Sequence, residues 1–471
     1  MKREKLQLAL DQISDTHIAE AAVFKKKRKL LFIPAIAAGL ALVLLFRTVD
    51  IPLAISAKAV SIASESRATQ RPDSDDYSSN DAWRNDLDAW SAQREARDTL
   101  TAEALAEINA FLIDSCSEFL SCADSNQLYS PINAFIGLAM AAELTAGQTQ
   151  QQILDALGVV DTETLRTYIS ALWENVYQDN GNEICTLANS LWLDDDIAYH
   201  QEPMDILAYD YYTSVYQQEL SGERVLKDIK AWLNNNTGGM LKNSIQNVTL
   251  PEEAVLALYS TIYFQSKWND EFSAANNSTD TFHAPGGDIS CTFMNKKLAQ
   301  MNYYWGESFG AVSLSLKNGS SMWFILPDED KTISDVLSQG EYLPMIAAPY
   351  NSWENTKYMK VNLSVPKFDI QTTADLRQGF ENMGITDLFQ LGKADFSAAF
   401  DAPVFITAAK QAVRVEVDEQ GVKAAAYIEL PGAGAAAPPE EIIDFILDRP
   451  FLFVIADNSG IPLFAGTVNQ P

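Results

Sequence analysis

Histidine and cysteine are both rare in this sequence, and their scarcity argues against most metal sites and against histidine-dependent catalysis. Three histidines and four cysteines occur among 471 residues. The cysteines form no CxxC pair, and no histidine stands at the spacing of a zinc ligand. No Walker A, HExxH, EF-hand or dinucleotide-binding motif is present either. The sequence therefore predicts neither a metal nor a cofactor.

The cysteines are interpreted as buried free thiols, and a Cys116–Cys122 disulfide is the alternative. The other two cysteines are Cys185 and Cys291. The acidic run Asp194–Asp196 is interpreted as a solvated turn.

Positive charge is also scarce, and its distribution is uneven. The chain has 34 Lys and Arg against 63 Asp and Glu, a net charge of −29. Residues 1–47 hold nine of the basic and four of the acidic residues, so the rest of the chain is more acidic still. Nucleic acids are bound by clustered Lys and Arg that neutralise phosphates. The acidic body therefore predicts that nucleic acid is not a partner.

Only one long apolar run occurs, from Leu30 to Phe46. These 17 uncharged residues follow the basic run Lys25–Lys29 and end at Arg47. As a helix they would extend about 26 Å, the short limit for crossing a bilayer, and the flanking cations could lengthen the span. The excess of positive charge before the run predicts a single-pass signal anchor with a cytoplasmic N-terminus. Everything after the run is then extracellular.

Two alternatives to the anchor are a cleaved signal peptide and a buried core helix. The triplet Ala57–Ala59 could be a cleavage site, but it stands far beyond Phe46, and the segment before the apolar run is long for a signal peptide. A core helix would have to accommodate the basic run. The anchor is the prediction that we retain, and the appearance of this N-terminal segment suggests a bacterial membrane protein.

The remaining chain divides into a linker and one large domain. Residues 1–29 are predicted to form the cytoplasmic segment and residues 30–46 the anchor. Residues 47–98 are predicted to be a flexible linker, because residues 61–98 are rich in Ser, Asp, Arg and Ala. Residues 99–471 are globular. Helical periodicity dominates the first half of this domain and strand-like runs the second, which predicts an α+β fold.

One motif has the form of a hydrolase nucleophile elbow, Gly306-Glu307-Ser308-Phe309-Gly310. That motif requires a strand before it, a helix after it and a histidine later in the chain. Here a strand-like run follows, and the three histidines (His17, His200 and His283) all precede Ser308. We interpret the motif as a turn and predict that the protein is not an enzyme.

The segment from Asp418 to Glu440 is the most unusual in the domain. A connection of about 20 residues inside a compact domain is uncommon and usually functional or disordered. Its first part alternates like a half-buried strand, whereas its Gly- and Pro-rich remainder is typical of an exposed loop. The residues that share the apolar side are Val422, Ala424, Ala426, Ile428 and Leu430. The pattern is that of a strand outside its sheet.

Residues 99–471 resemble the serpin family along their whole length. Each matching segment is weak by itself, but all of them occur in the family's order and spacing. The segments are Tyr129–Pro131 (YSP), Leu187–Trp192 (LANSLW), Thr261–Trp268 (TIYFQSKW), Val365–Phe368 (VPKF), Gly384–Phe389 (GITDLF), Ala394–Ser397 (ADFS), Glu419–Ala426 (EQGVKAAA) and Asp448–Phe453 (DRPFLF).

The resemblance implies three β-sheets, eight or nine helices and a reactive-centre loop between Gly421 and about Glu440. A target serine protease cuts this loop as a substrate. The cut loop then inserts as a strand into the main sheet, carrying the covalently attached protease and distorting its active site. The hinge for this movement is carried over onto Glu419, Gln420, Gly421, Val422, Lys423, Ala424, Ala425 and Ala426.

Insertion requires small or apolar side chains on the inward side of the loop, and the alternation supplies them without exception. Burying the Val, Ile and Leu side chains contributes roughly 1.5–3 kcal/mol each. A charge on that side would cost several kcal/mol if it had no partner. Non-inhibitory members are expected to lose this pattern, so its presence favours an inhibitor. The alternative is a non-inhibitory serpin that acts as a binding or scaffold protein.

Some positions keep the family's residues and others depart from them. Ser130 and, at the top of the main sheet, Trp268 match the family. Val422 follows the hinge glycine where threonine or serine is usual. Under the sheet, Ser260 and Gln411 replace the common asparagine and histidine; both can form hydrogen bonds, but not the usual contact. These two replacements leave the rate of insertion open.

The target is predicted from the residues around the cleaved bond. Inhibitory members place that bond fourteen residues after the hinge glycine, which here gives Ala435–Ala436, with Gly434–Ala435 as the near alternative. The surrounding residues are all small, so the target is expected to have a small primary pocket, as elastase-like or subtilisin-like proteases do. We expect the inhibitor to act as a monomer.

Overall fold

The computed structural model describes most of the predicted domain. Every described residue belongs to one compact unit, Leu53–Pro471. The described residues are 60–63, 79, 81–85, 87–89, 102–120, 125–179, 183–252, 254–348, 352–422 and 441–471, and for 60–63, 102–103 and 243–244 only the backbone is described.

Ten α-helices lie in the described residues between Ala102 and Asn382. Their bounds are α1 Ala102–Phe119, α2 Pro131–Leu144, α3 Gly147–Leu157, α4 Thr162–Val176, α5 Gln201–Asp210, α6 Glu223–Asn236, α7 Lys242–Ile245, α8 Ile333–Gln339, α9 Tyr342–Ala347 and α10 Arg377–Asn382. The resemblance implied eight or nine helices, and the larger number reflects short helices of four to seven residues such as α7 and α8.

Helix α2 is the central helix of the core. It begins with Pro131 at its first position, where the missing N–H of proline costs no hydrogen bond, and Ser130 is its N-cap residue. All of its residues except Gly137 are buried, as expected for a helix that is apolar on every side. It packs against strands of both sheets, so it holds them at a common centre.

Eight strands form the main sheet. Their bounds are β1 Val60–Ala63, β3 Gln178–Asp179, β4 Ile184–Leu193, β5 Thr213–Gln217, β6 Leu256–Lys267, β12 Phe368–Asp375, β13 Lys410–Val417 and β14 Gly421–Val422. The strand order is β1-β5-β4-β6-β14-β13-β12, and β3 pairs with β4.

Nine strands form the second sheet. Their bounds are β2 Gln127–Tyr129, β7 Ser278–Ala284, β8 Gly287–Trp305, β9 Phe309–Ser315, β10 Ser321–Pro327, β11 Thr356–Pro366, β15 Ile442–Ile446, β16 Phe451–Ala456 and β17 Pro462–Val468. The order is β15-β11-β8-β9-β10-β16-β17-β2, with β7 paired to β8.

The described strands therefore form two hydrogen-bonded sheets, where the resemblance implied three. Strand β8 is 19 residues long, and it pairs with β7 and β11 along most of its length and with β9 at its end. Because β8 pairs with β9 as well as with β7 and β11, these strands all belong to one sheet. The α+β class is confirmed.

The main sheet is covered on both faces, because successive side chains of a strand point to opposite sides. Leu191 and Leu193 of β4 belong to the main core, which contains α2. Trp192, between them, belongs to a smaller cluster with Ile229 and Trp232 of α6. Helices α2 and α6 therefore lie on opposite faces of the sheet.

Strand β1 was not predicted. It pairs antiparallel with β5 at the edge of the main sheet, although its four residues lie in the stretch that the sequence predicts to be a linker. Short helical turns also occur at residues 81–85 and 87–89. The domain boundaries remain predictions, but the linker includes one strand of the fold.

The described cysteines are free thiols. Cys116 and Cys185 are buried and Cys291 is half-buried. Burial raises the pKa of the Cys116 thiol far above its ordinary value, which makes the thiolate rare and the side chain unreactive. Cys122 lies outside the described residues.

Within the described ranges, no helix has both the length and the apolar character needed to cross a membrane. The predicted span Leu30–Phe46 lies outside those ranges.

Candidate functional site: the loop hinge and the main sheet beneath it

The structure describes the first half of the predicted hinge and the sheet positions around it. Glu419 to Val422 are described, as are Trp268, Ser130, Ser260 and Gln411. The remaining site predictions lie outside the described residues. These are Lys423, Ala424, Ala425 and Ala426 of the hinge, Ile428 and Leu430 of the inserting side, and Gly434, Ala435 and Ala436 at the reactive bond.

A tight turn after β13 reverses the chain into the main sheet. The Asp418 carboxylate accepts hydrogen bonds from the backbone N–H groups of Gln420 (2.8 Å) and Gly421 (3.2 Å). The N–H of Asp418 donates to the carbonyl of Gly421 at 3.1 Å. Asp side chains commonly stabilise turns in this way. The turn places β14 antiparallel to β13, with Val422 opposite Val417.

Strand β14 stands between β13 and β6. Gly421 pairs with Lys267 and Val422 with Ser266, both antiparallel. Val422 is 2% exposed and belongs to the main core. Across the described part of the sheet, no backbone ladder joins β6 directly to β13. The first two residues of the loop are therefore already a strand of this sheet.

Only glycine fits at position 421. Its φ is +154°, and an added Cβ would lie 2.6 Å from the Cα of Lys267 and closer still to the carbonyl oxygen of Ser266. The backbone of β14 thus approaches β6 too closely for any side chain.

The segment after β6 binds the three carbonyl groups of the turn. The N–H of Trp268 donates to the carbonyl of Gln420 at 3.0 Å, and the N–H of Phe272 donates to that of Glu419 at 2.9 Å. The indole N–H of Trp268 donates to the carbonyl of Asp418 at 2.8 Å. Trp268 is fully buried and packs edge-on against Phe272. The turn is consequently fixed by this one segment.

The Glu419 side chain adds a second attachment. Its carboxylate accepts hydrogen bonds from Lys367 Nζ at 2.8 Å and from the Asn277 amide at 2.5 Å. Partial burial raises the pKa of Glu419, but the hydrogen bonds from Lys367 and Asn277 outweigh it, so that the pKa lies below its ordinary value. The folded structure therefore favours the charged form.

Glu183, which the sequence analysis did not single out, holds β6 where the loop joins it. Its carboxylate accepts hydrogen bonds from the Ser266 hydroxyl and, at 3.2 Å, from the Lys267 N–H. Ser266 and Lys267 are the partners of β14. Glu183 lies more than 80 residues before them, and no motif in the sequence marked it.

Ser260 and Gln411 are both bound to the first turn of α2. Gln411 accepts a hydrogen bond from the Ser130 N–H (2.8 Å) and donates one to the Ser130 carbonyl (2.9 Å). The Ser260 hydroxyl donates to the Asn133 side chain at 2.7 Å, and Asn133 donates back to the Ser260 carbonyl at 3.1 Å. The strands on the two sides of β14 are thus each attached to the same helix.

Ser308 lies in a turn between β8 and β9. It is fully buried, and its hydroxyl donates to the side chain of Gln339. The carboxylate of Asp194, in the turn after β4, accepts hydrogen bonds from the N–H groups of Asp196 and Leu220. Both segments are turns, as the sequence predicted.

The first two residues of the predicted loop, Gly421 and Val422, lie in the main sheet, as the insertion that the resemblance implies would require. The family model described as serpin (serine protease inhibitor) matches residues 106–471. The chain belongs to the serpin family, whose members are typically inhibitors of serine proteases and not enzymes.

The chain is also similar to individual proteins and to solved structures. Plasminogen activator inhibitor 1 of Neovison vison is 29% identical over 359 residues, which cover 74% of this chain and 88% of that protein. Serpin-ZX of Arabidopsis thaliana is 26% identical over 369 residues, covering 74% and 93%. The crystal structure of the thermophilic serpin tengpin in its native state superposes with a TM-score of 0.70 at 26% identity, covering 79% of this chain and 95% of that one.

Proposed function

We propose that the protein is a suicide inhibitor of serine proteases with a small primary pocket, of the elastase-like or subtilisin-like kind. The observation that carries this proposal is the pairing of Gly421 and Val422 between β6 and β13. A loop whose first residues already occupy the main sheet needs only to be cut to continue into it.

The physical reason for insertion is that each further residue gains both a ladder and a buried side chain. A residue that extends β14 would pair with β13 on one side and β6 on the other, and each net hydrogen bond contributes about 0.5–1.5 kcal/mol. The inward positions Ala424, Ala426, Ile428 and Leu430 would follow Val422 into the core. Because the loop carries the attached protease, this free energy is available to distort the protease.

The preference for small pockets comes from the sequence around the proposed reactive bond, Ala435–Ala436. Residues 432–437 are only glycine and alanine. A small pocket accepts such side chains, whereas a trypsin-like pocket requires Arg or Lys.

The experiment is to mix the full-length protein, in a mild detergent, with pancreatic elastase and with subtilisin, and to separate the products on a denaturing gel. An inhibitor gives a band at the summed mass that survives denaturation. Cleavage between residues 434 and 436 without such a band would instead support a non-inhibitory serpin that acts as a binding or scaffold protein.

We also propose that residues 30–46 anchor the inhibitor in the cell membrane, with the domain on the extracellular side and the N-terminus in the cytoplasm. The run of 17 uncharged residues behind a basic cluster supports this proposal. Expression in a bacterial host, carbonate washing of its membranes and N-terminal sequencing test it. Retention with Met1 or residue 2 at the N-terminus is expected, and release of a chain that starts beyond residue 46 would contradict it.

A further inference from the structure

An exposed face with three large apolar side chains lies on the strands that follow the loop. Ile442 and Ile446 of β15 are 59% and 43% exposed, and Tyr358 of β11 is 50% exposed. The only other large hydrophobic side chains exposed in the described residues are Val160, Tyr209 and Leu391, at three separate places in the chain. Isolated exposed hydrophobic residues need no explanation, but a contiguous set marks an interaction site.

The three side chains share one side of two paired strands. In the parallel ladder Lys360 is opposite Ile442, Asn362 is opposite Asp444 and Ser364 is opposite Ile446. We refer to the outward side of these strands as the β11–β15 face, which comprises Tyr358, Lys360, Asn362, Ile442, Asp444 and Ile446.

A polar pair fixes the middle of the β11–β15 face. The Asn362 amide donates to the Asp444 carboxylate at 2.7 Å. The Tyr358 hydroxyl donates to Gln300 of β8 at 2.9 Å, which orients its ring.

The β11–β15 face is also less acidic than the rest of the chain. Lys360, together with Lys297 of β8 opposite Asn362, accompanies Asp444 on this side, whereas the whole protein carries a net charge of −29. A partner can therefore approach the face without the repulsion or attraction that the acidic body exerts elsewhere.

The position of the face relative to the loop indicates which partner it meets. The N–H of Lys360 donates to the Glu441 carbonyl at 2.9 Å, so the chain is fixed where the loop ends. Ile442 is six positions after Ala436 in the chain, so the two residues are separated by at most about 20 Å. A protease of some 220 residues has a radius of gyration of about 17 Å. Such a protease, bound at the proposed Ala435–Ala436 bond, would therefore have its surface within reach of Ile442.

We propose that the β11–β15 face is a secondary binding surface for the target protease. The protease contacts this face with the part of its surface next to the cleft that binds the residues after the cleaved bond. This inference rests on the proposed inhibitory function. The face is continuous with the loop through Glu441, and it adds apolar contacts to those that the small residues of the loop can make.

The test is the double variant Ile442→Thr/Ile446→Thr in the full-length protein. Threonine retains the β-branched shape that suits a strand but removes apolar surface. The second-order rate constant for complex formation is measured with pancreatic elastase and with subtilisin. It is expected to fall at least fivefold with one of them, while the ratio of trapped to merely cleaved inhibitor stays unchanged. Tyr358→Thr, a separate variant, is expected to lower the same rate constant.

The matched control is Val160→Thr/Leu391→Thr, because those side chains are 78% and 70% exposed and lie in connections outside β11 and β15. Rate constants within twofold of the unsubstituted protein for Ile442→Thr/Ile446→Thr would overturn the proposal. An equal fall in the control, or a changed ratio of trapped to cleaved product, would overturn it too. A complete absence of trapped complex in the unsubstituted protein would instead refute the inhibitory function on which it rests.

Occupancy by a second copy of the chain is the other outcome that the experiment detects. Light scattering of the unsubstituted protein and of Ile442→Thr/Ile446→Thr is expected to give the same monomeric mass in the same detergent. A dimer that the substitutions dissociate would assign the β11–β15 face to self-association and overturn its assignment to the protease.

Discussion

Gln411 and Ser130 hold each other through two hydrogen bonds beneath the main sheet, with the side chain of one bonded to the backbone N–H and C=O of the other. Ser130 is also fastened to β17, because its hydroxyl donates to the Leu463 carbonyl at 2.8 Å. Strand β13 is thereby tied to the start of α2 and to the second sheet. If the loop enters between β6 and β13 as proposed, these strands would have to move relative to α2, and we expect the Gln411–Ser130 pair to resist that movement.

Gln411→Leu is expected to lower the free energy of unfolding by about 1–3 kcal/mol, because the buried N–H of Ser130 loses its partner while the Ser130 carbonyl keeps the hydrogen bond from Ala134. The loosened sheet is also expected to accept the loop faster. Urea denaturation measures the first effect and stopped-flow fluorescence of the protease reaction the second.

Gln151→Leu is the control for this substitution. Gln151 is exposed, and its amide donates to Asp155 on the same helix at 2.7 Å. Its replacement should change the free energy of unfolding by less than about 0.5 kcal/mol. Equal effects of the two substitutions would show that the position under the sheet has no special importance.

The elements most easily predicted from the sequence are those with a strong and uninterrupted pattern. The apolar runs Phe451–Ala456 and Pro462–Val468, each bounded by turn-forming residues, predict two strands, and they coincide with β16 and β17. Apolar residues at helical spacing from Ala102 to Leu120 predict a helix, and α1 ends one residue earlier. The α+β class followed from such segments, since their order alone separates this class from alternating α/β folds.

Other elements could not be predicted, because their stability comes from distant partners. Strand β8 contains many polar and exposed residues and lacks a clear alternation, so only its neighbours β7 and β11 make it a strand. In the site, Glu183 and Asn277 contact Ser266 and Glu419, 83 and 142 residues away. A single sequence shows the hinge residues but not which distant residues contact them.

Gly421→Ala is expected to displace β14 from the sheet. The methyl group would overlap the backbone of β6, and the left-handed φ would add strain, so that the hinge loses at least about 2 kcal/mol. Hydrogen exchange measured by mass spectrometry should show faster exchange in the peptide that contains Val422, and the inhibitor should become mainly a substrate.

Gly287→Ala is the control that separates backbone strain from steric overlap. Gly287 has a φ of +118°, and nothing lies within 4 Å of an added Cβ. This variant should incur the backbone strain alone and leave exchange near Val422 unchanged. If Gly421→Ala left exchange there unchanged as well, the close approach of β14 to β6 would not matter for the hinge.

Glu419→Gln is expected to remove a pH-dependent part of the stability. The pKa of Glu419 lies below its ordinary value of 4.5 because Lys367 and Asn277 bind the carboxylate, so the unfolded chain takes up a proton more readily than the folded one. The resulting stability is fully present above about pH 4.5 and is lost as the pH falls through the lowered pKa. Urea denaturation from pH 3.5 to 7.5 should show that the unsubstituted protein is more stable than Glu419→Gln at neutral pH. The difference between their free energies of unfolding should shrink as the solution becomes acidic.

Lys367→Met provides the control for the ion pair. If Lys367 lowers the pKa of Glu419, then Glu419→Gln should reduce the free energy of unfolding at pH 7 less in a Lys367→Met background than in the unsubstituted protein. The difference between these two reductions is the coupling free energy between the two residues. A coupling of zero would attribute the lowered pKa to Asn277 alone.

Ala424→Arg is expected to convert the inhibitor into a plain substrate. Val422 is buried between β13 and β6, and Ala424 is the next residue on the same side of the alternation, so an arginine there would have to be buried as an unpaired charge in order to insert. Ala425→Arg is the matched control, because its side chain falls on the opposite side. A denaturing gel with elastase should show only cleaved product for Ala424→Arg and a trapped complex for Ala425→Arg. Equal amounts of complex in both would mean that the loop does not insert in the register set by Val422.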